Sequence, residues 1–411
     1  MNKVLLVSLL FLSTSTLAAF SNYNSILIGE RAAGMGGAYT SLTGDPAACS
    51  FYNPATLARM EGTSLSAAVS VYNKYETNFG EKRDFAGAPL RVNQGSFQPI
   101  PTSSGSVFTF RNFAFGLSIV IPDSQTYEGE VKSEQGNISL LRLQDESLWV
   151  GGNLAVNLTE KLAAGLTMYY TSRSFSRSVT DRIENGGNTS IANEVKTLSN
   201  NSIIYILGAY YHLAKNWHLG LSHRFTSLEI SGHGTYFFSE VATTGAPPST
   251  NEDGILSETI VPSKTTLGIS FEKKRDITLS ADISYYGSER YWDLHHSNAG
   301  DFIIHKAIWN LNLGAEIFPK DWLGLRAGIY SNFSASPKIP EQVNNRRPDY
   351  VDMWGFSANA AIYTSSQSSL TLGGYWVGGK GHSTQRVTGS IERVPLSIQT
   401  FTLLVGTTFR L

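Results

Sequence analysis

The side chains nearest to a nucleophile and its base are His212, His218, Ser222 and His223, which sit close together in the sequence. A serine and a histidine on one strand could hydrolyse an ester, but no recognisable nucleophile motif surrounds them. His295 and His296, with Asp301 and His305, are metal-ligating types. Their spacing runs irregularly across an apparent loop and no second cluster supports it, so a solvated loop tip is expected. Cys49 is the only cysteine, which excludes an intramolecular disulfide, and it has no evident local partner for nucleophilic or metal chemistry. It reads as a small packed residue. No catalytic residue, metal site or cofactor is expected.

The elements that must position any site are strands. Of the 411 residues only 16% are charged and the formal net charge is -1, so no basic surface for nucleic acid is implied. The chain opens as a secretory signal, with Lys3 as the positive end, an apolar run from Val4 to Leu12, and Thr16-Leu17-Ala18 as a small-residue cleavage pattern. Residues 1–19 are assigned to this signal, because the apolar run is shorter than the roughly 20 residues a spanning helix needs. No later segment approaches that length and mean hydropathy is -0.11, so any membrane span must be a strand.

Period-two alternation is cleanest in 277–286, where Ile277, Leu279, Ala281, Ile283 and Tyr285 alternate with Thr278, Ser280, Asp282, Ser284 and Tyr286. Trp217, Leu219, Leu221 and Phe225 alternate in the same way with His218, Gly220, Ser222 and Arg224. About fourteen strands are expected, starting near 63, 105, 113, 145, 161, 200, 216, 258, 275, 303, 322, 353, 369 and 397. A soluble sandwich also alternates, but these segments reach the roughly 9 to 11 residues of a tilted membrane strand. Turns such as Thr159-Glu160 and Ala214-Lys215 are tight, whereas 176–199, 231–257 and 333–352 read as long polar loops. Aromatic residues near strand ends, among them Tyr285-Tyr286, Tyr291-Trp292 and Trp322, suit interfacial girdles. The expected fold is all-β, a transmembrane antiparallel β-barrel.

One stretch breaks the pattern. Ile28 to Met60 reads IGERAAGMGGAYTSLTGDPAACSFYNPATLARM, with Gly34, Gly36 and Gly37 permitting close backbone approach, Asp45-Pro46 breaking the chain, and Asn53, Pro54 and Ala55 starting another turn. Such small residues suit a plug with short helices, confined inside something. This stretch, directly before a strand, resembles the outer-membrane long-chain fatty acid transporter family of the FadL/TodX type. So do VPSKTTLGISFE from Val261, LRAGIYSNFSASPKIPEQ from Leu325 and RRPDYVDMWGFSANAAIY from Arg346. The last strand ends in Leu411 where the family usually has Phe, and 80–104 and 176–199 match nothing in its pattern.

The resemblance implies an N-terminal hatch (residues 20–61) plugging a barrel (62–411) in the outer membrane of a Gram-negative bacterium, a monomer among outer-membrane lipid. It implies passive, ligand-gated diffusion with no enzymatic step: a groove at the outer loops, a pocket inside, and sideways release of a hydrophobic ligand through the wall. Long-chain fatty acids are the expected cargo, aromatic hydrocarbons the alternative, and a structural or adhesin barrel without transport a third reading. The family's aromatic near the mature N-terminus points to Phe20 and Tyr23 as pocket residues. Release needs a strand with broken pairing, and Pro122, lacking a ladder donor, marks a candidate in the third strand, unless the strand simply ends there. For an acid headgroup, alternation turns Arg173 and Arg326 inward, since a lipid-facing arginine at midplane costs about 2 to 4 kcal/mol. The bland reading pairs them with acids such as Asp282 or Glu316.

Overall fold

The computed structural model describes residues 21–83, 89–96, 100–132, 138–185, 188–242, 249–297, 299–343, 345, 347–365, 367–387 and 390–411. The signal segment and Phe20 lie outside these residues. Two short helices, α1 (Glu30–Gly34) and α2 (Pro46–Tyr52), and a 3-10 turn (Pro54–Arg59) precede the strands. In chain order these are β1 (Thr63–Arg83), β2 (Pro89–Ser96), β3 (Ile100–Phe110), β4 (Phe113–Lys132), β5 (Ile138–Asn157), β6 (Leu162–Asn185), β7 (Asn188–Ala214), β8 (Trp217–Arg224), β9 (Leu228–Ala242), β10 (Ser249–Leu256), β11 (Lys264–Lys273), β12 (Ile277–Tyr286), β13 (Glu289–Trp292), β14 (Phe302–His305), β15 (Ile308–Lys320), β16 (Leu323–Asn332), β17 (Tyr350–Tyr363), β18 (Ser368–Val387) and β19 (Ser390–Arg410).

Fourteen of them close an antiparallel barrel in the order β1, β3 to β8, β11, β12 and β15 to β19, and the last returns to the first with Ser64 opposite Arg410. Closure pairs each wall strand with a neighbour on both sides, apart from the outer half of β4, the condition for backbone to sit in hydrocarbon. Alternation sets the facing: on β12, Leu279, Ile283 and Tyr285 are exposed on the outside while Ser280, Asp282 and Ser284 are buried inside. Trp217 against Phe271 at one end and Tyr285 against Trp309 at the other place paired aromatics at both rims. Tyr291 departs from the girdle reading, because it is buried in the separate β13–β14 hairpin.

Short turns, including Arg111-Asn112, Lys215-Asn216 and Asp321-Trp322, lie at one end. At the other end two expected loops are sheet. The β6–β7 ladder continues to Asn185 opposite Asn188, and most of 231–257 forms β9 and β10, with β9 pairing to the outer part of β7. Likewise 80–104 holds the end of β1 and the strand β2. Both faces of a ladder outside the bilayer meet water, so nothing imposes the alternation that marks the membrane spans.

The third barrel strand, β4, does not end at Pro122. It pairs with β5 as far as Lys132, with a bulge between Val120 and Asp123 that takes in the proline. On its other side the ladder to β3 stops at Val120 opposite Ser103. Among the described residues, the outer half of β4 therefore has a ladder on one side only.

Candidate functional site

The residues before β1 sit inside the wall and are almost wholly buried. Irregular backbone at that depth needs polar partners, and the inward side chains of the strands supply them. Asn312 donates to the Gly36 carbonyl (2.7 Å) and Asn359 to the Glu30 carbonyl (2.8 Å), while Asp282 accepts from the amides of Tyr39 and Thr40, each at 2.9 Å. Asp45 caps α2 by accepting from the amides of Ala47 and Ala48 and receives the Ser66 hydroxyl of β1 at 2.8 Å. Asn53 caps the 3-10 turn through the Ala55 amide and donates to the carbonyls of Thr40 (2.7 Å) and Ala209 on β7 (2.9 Å), with Pro54 setting the first turn. Asn53→Ala should cost about 1 to 3 kcal/mol, because two buried carbonyls and one amide lose a partner. The unfolding midpoint of the purified barrel in guanidinium measures it.

Gly34 packs on Asn359, and Gly36 and Gly37 adopt the left-handed backbone that a side chain would strain. Facing them, the wall carries its own glycines: a Cβ built on Gly314 or Gly328 would strike the backbone of Met35 or Gly36, and one on Gly208 the Asn53 side chain.

Below the segment, toward the short turns, Glu316 is fully buried and accepts from Arg31 (Nε at 3.0 Å, Nη2 at 2.5 Å) and from Arg326 (Nε at 2.7 Å). Arg31 also reaches Glu272 at 2.9 Å and the Thr43 carbonyl at 2.7 Å. Arg173, on the opposite side of the segment, chelates Asp145 (2.8 and 2.5 Å) and donates to Thr259 at 3.0 Å. Both arginines singled out from the sequence therefore point inward, as alternation required, and both already hold a carboxylate.

Above the segment Ile28, Val120, Trp149, Tyr169, Ile204 and Ile206 pack into an apolar cluster, with Phe51, Tyr52 and Val261 against it. Nearby, Tyr23 stacks on Tyr286 at 4.9 Å with its hydroxyl buried and unbonded. Two cations border this cluster that sequence reasoning did not single out. Arg224, on β8, donates to the Pro262 carbonyl at 3.0 Å and lies 5.6 Å from the Trp149 ring, with its Nε buried and unpartnered. Lys264, opposite it on β11, stands 5.2 Å from the Tyr286 ring and 5.8 Å from that of Tyr52. Among the described residues neither makes a direct ion pair with a carboxylate, although Asp123 lies within electrostatic reach of Arg224 and Asp282 of Lys264. Both line a cavity with Phe51, Tyr52, Ile206, Ser222 and Thr266. Their signal in the sequence was phase: Arg224 continues the wet face of His218, Gly220 and Ser222.

The other candidate groups do not converge. Ser222 faces the lumen and His223 the outside, where it bonds Thr265 at 2.8 Å, while His218 bonds Tyr210 at 2.6 Å. Only part of the 295–305 cluster is a solvated tip: His296 is exposed and His295 half-buried, but Asp301 is buried beside Lys196 and His305 against Tyr23 and Tyr291. The correction came from β7, whose Lys196 draws the loop inward.

A family model described as "Outer membrane protein transport protein (OMPP1/FadL/TodX)" matches residues 9–367. No curated protein matches the sequence. Among solved structures, a Pseudomonas aeruginosa FadL homologue aligns with a TM-score of 0.69 at 13% identity, covering 95% of this chain and 99% of that one. The P. putida toluene transporter TodX gives 0.67 at 17%, covering 93% and 98%, and the Ralstonia pickettii toluene transporter TbuX gives 0.58 at 15%, with the same coverage. At these identities the likeness carries the fold.

Proposed function

Since this chain belongs to the outer membrane protein transport protein family (OMPP1/FadL/TodX), and is thus an outer-membrane transporter of hydrophobic compounds, we propose that its cargo is a long-chain fatty acid. The observation that carries this is the pair Arg224 and Lys264: two cations that line a lumenal cavity beside an aromatic and aliphatic cluster and, among the described residues, make no direct ion pair with a carboxylate. Arg224 is buried with its Nε unpartnered, and the carboxylate of a ligand would offset that cost. The tail needs no specific contact, since each buried methylene contributes roughly 0.8 kcal/mol.

In this reading residues 20–61 are a hatch that closes the lumen to water, and transport is passive. An apolar tail gains nothing from a wet exit below the hatch, so the ligand leaves sideways, beside the outer half of β4 where the ladder to β3 stops at Val120. Tyr23 contributes to the pocket, while Arg173 and Arg326 hold the wall and hatch. An aromatic hydrocarbon is the second reading. It is supported by the rings of Phe51, Trp149 and Tyr169 in and beside the apolar cluster and by the toluene transporters among the similar structures.

Arg224→Gln should weaken oleate binding tenfold or more, the loss of a charge-assisted hydrogen bond of about 1.5 to 3 kcal/mol, and Lys264→Gln should act in the same direction. Toluene has no anion to pair, so its binding should hold in both variants. Titration calorimetry on the purified protein measures each. Unchanged oleate affinity in both variants would sink the fatty-acid reading, and toluene binding without oleate binding would favour the second.

A further inference from the structure

The β13–β14 hairpin is the one pair of strands in the described chain that hydrogen-bonds only to itself, as a separate two-stranded sheet. Such a ribbon is marginal alone and takes its position from what it rests on. Its inner face carries Tyr291, Ile303 and His305, all buried, and His305 meets Tyr23 edge-on at 5.9 Å, directly over the Tyr23–Tyr286 stack. The hairpin's two ends are tied down, Gly287 N to the carbonyl of Ser263 just before β11 (2.9 Å) and Lys306 N to the carbonyl of Ala335 in the segment after β16 (2.6 Å). The span between them is held down at its far side by a few groups. Leu294 is fully buried against Gly234 of β9 and bridges to Ser257. Lys196 of β7, 1% exposed, holds Asp293 (2.7 Å), Asp301 (2.9 Å) and the Ala299 carbonyl (2.8 Å).

We propose that this hairpin is the outer gate of the transport path and that Lys196 is the positioning residue that keeps it shut. The inference rests on the transport reading but not on the identity of the cargo. The hairpin lies over the Tyr23–Tyr286 stack and is tied at its two ends, and its far side is fastened by Leu294 on Gly234, Ser297 on Glu252, His295 on Glu258 and, in the buried part, by Lys196 shared between two aspartates. Removing that cation leaves two carboxylates facing each other in a buried site, which favours lifting the far side into water.

The test uses the full-length protein in a Cys49→Ser background, reconstituted in vesicles, with oleate and toluene as probes. Lys196→Met should raise the initial uptake rate several-fold. It should also speed maleimide labelling of a Leu294→Cys reporter at least tenfold, a gain that mere structural damage to transport would not give. Ser257→Cys with Leu294→Cys joins positions that face each other in an antiparallel bridge, within disulfide reach. Oxidation should abolish uptake and reduction should restore it. Uptake by the oxidised form equal to that of the reduced form overturns the gate. Unchanged labelling in Lys196→Met overturns the role of the lysine. If the wild type carries neither probe faster than protein-free vesicles, the transport reading fails and the gate falls with it. Uptake by the wild type together with uptake that persists in the cross-linked Ser257→Cys, Leu294→Cys variant removes the gate alone.

Discussion

Glu316→Gln should loosen the proposed hatch, the segment before β1, more than any other single change in the polar interior. The carboxylate is fully buried and serves two guanidinium groups, Arg31 from α1 and Arg326 from β16. An amide cannot accept from both with a balancing charge. Arg31 would keep Glu272, but Arg326 would be left with Tyr363 at 3.3 Å and Thr371 at 3.5 Å, both neutral, and with Glu30 only at electrostatic range. Breaking a buried ion pair by removing one partner costs about 3 to 5 kcal/mol. The barrel wall keeps its ladder in this variant, so the loss should fall on the attachment of the hatch. The purified protein should unfold at lower guanidinium concentration, and cells carrying the variant should admit large antibiotics that the outer membrane normally excludes. Wild-type values in both measurements would show that the network contributes nothing to holding the hatch.

Gly328→Val should displace the hatch by sterics alone. A side chain there meets the Gly36 amide and the Met35 carbonyl carbon, which are backbone atoms of a turn that Asn312 and Ser357 hold from the wall, so neither partner has an easy way to yield. Overpacking of this kind typically costs 1 to 3 kcal/mol, and here the strain sits between two elements that can separate. Cys49 supplies the reporter. It is the only cysteine in the chain and is fully buried in α2. In the folded wild type it should resist maleimide, and in Gly328→Val it should label while the barrel still migrates as a folded species in cold detergent electrophoresis. A Cys49 that stays protected would mean that the turn at Gly36 relaxes locally and that the hatch is not wedged by the wall glycines.

How much of this was readable in advance depends on which partner each residue needs. The membrane spans were legible because lipid on one face and lumen on the other force a strict two-residue period, and that period survives in the sequence whatever the neighbours are. The strand starts expected near 63, 113, 161, 216, 275, 322 and 369 lie within two residues of β1, β4, β6, β8, β12, β16 and β18. The outer ladders of β6, β7 and β9 were read as loops because no such two-sided environment acts on them.

The sequence by itself determined the barrel, the break in its pattern at 28–60, and the inward direction of Arg173, Arg224 and Arg326, since these follow from period and from residue size. Only the tertiary structure decided which of those arginines is already paired. Arg173 meets Asp145 from the neighbouring strand and Arg326 meets Glu316, while Arg224 touches rings and a carbonyl, with Asp123 in electrostatic reach but in no direct pair. The same holds for Lys196, whose two aspartates come from about a hundred residues further along the chain. An inward charge is a property of one strand's phase, but its pairing depends on the register of strands far away in sequence, and register is fixed only when the barrel closes.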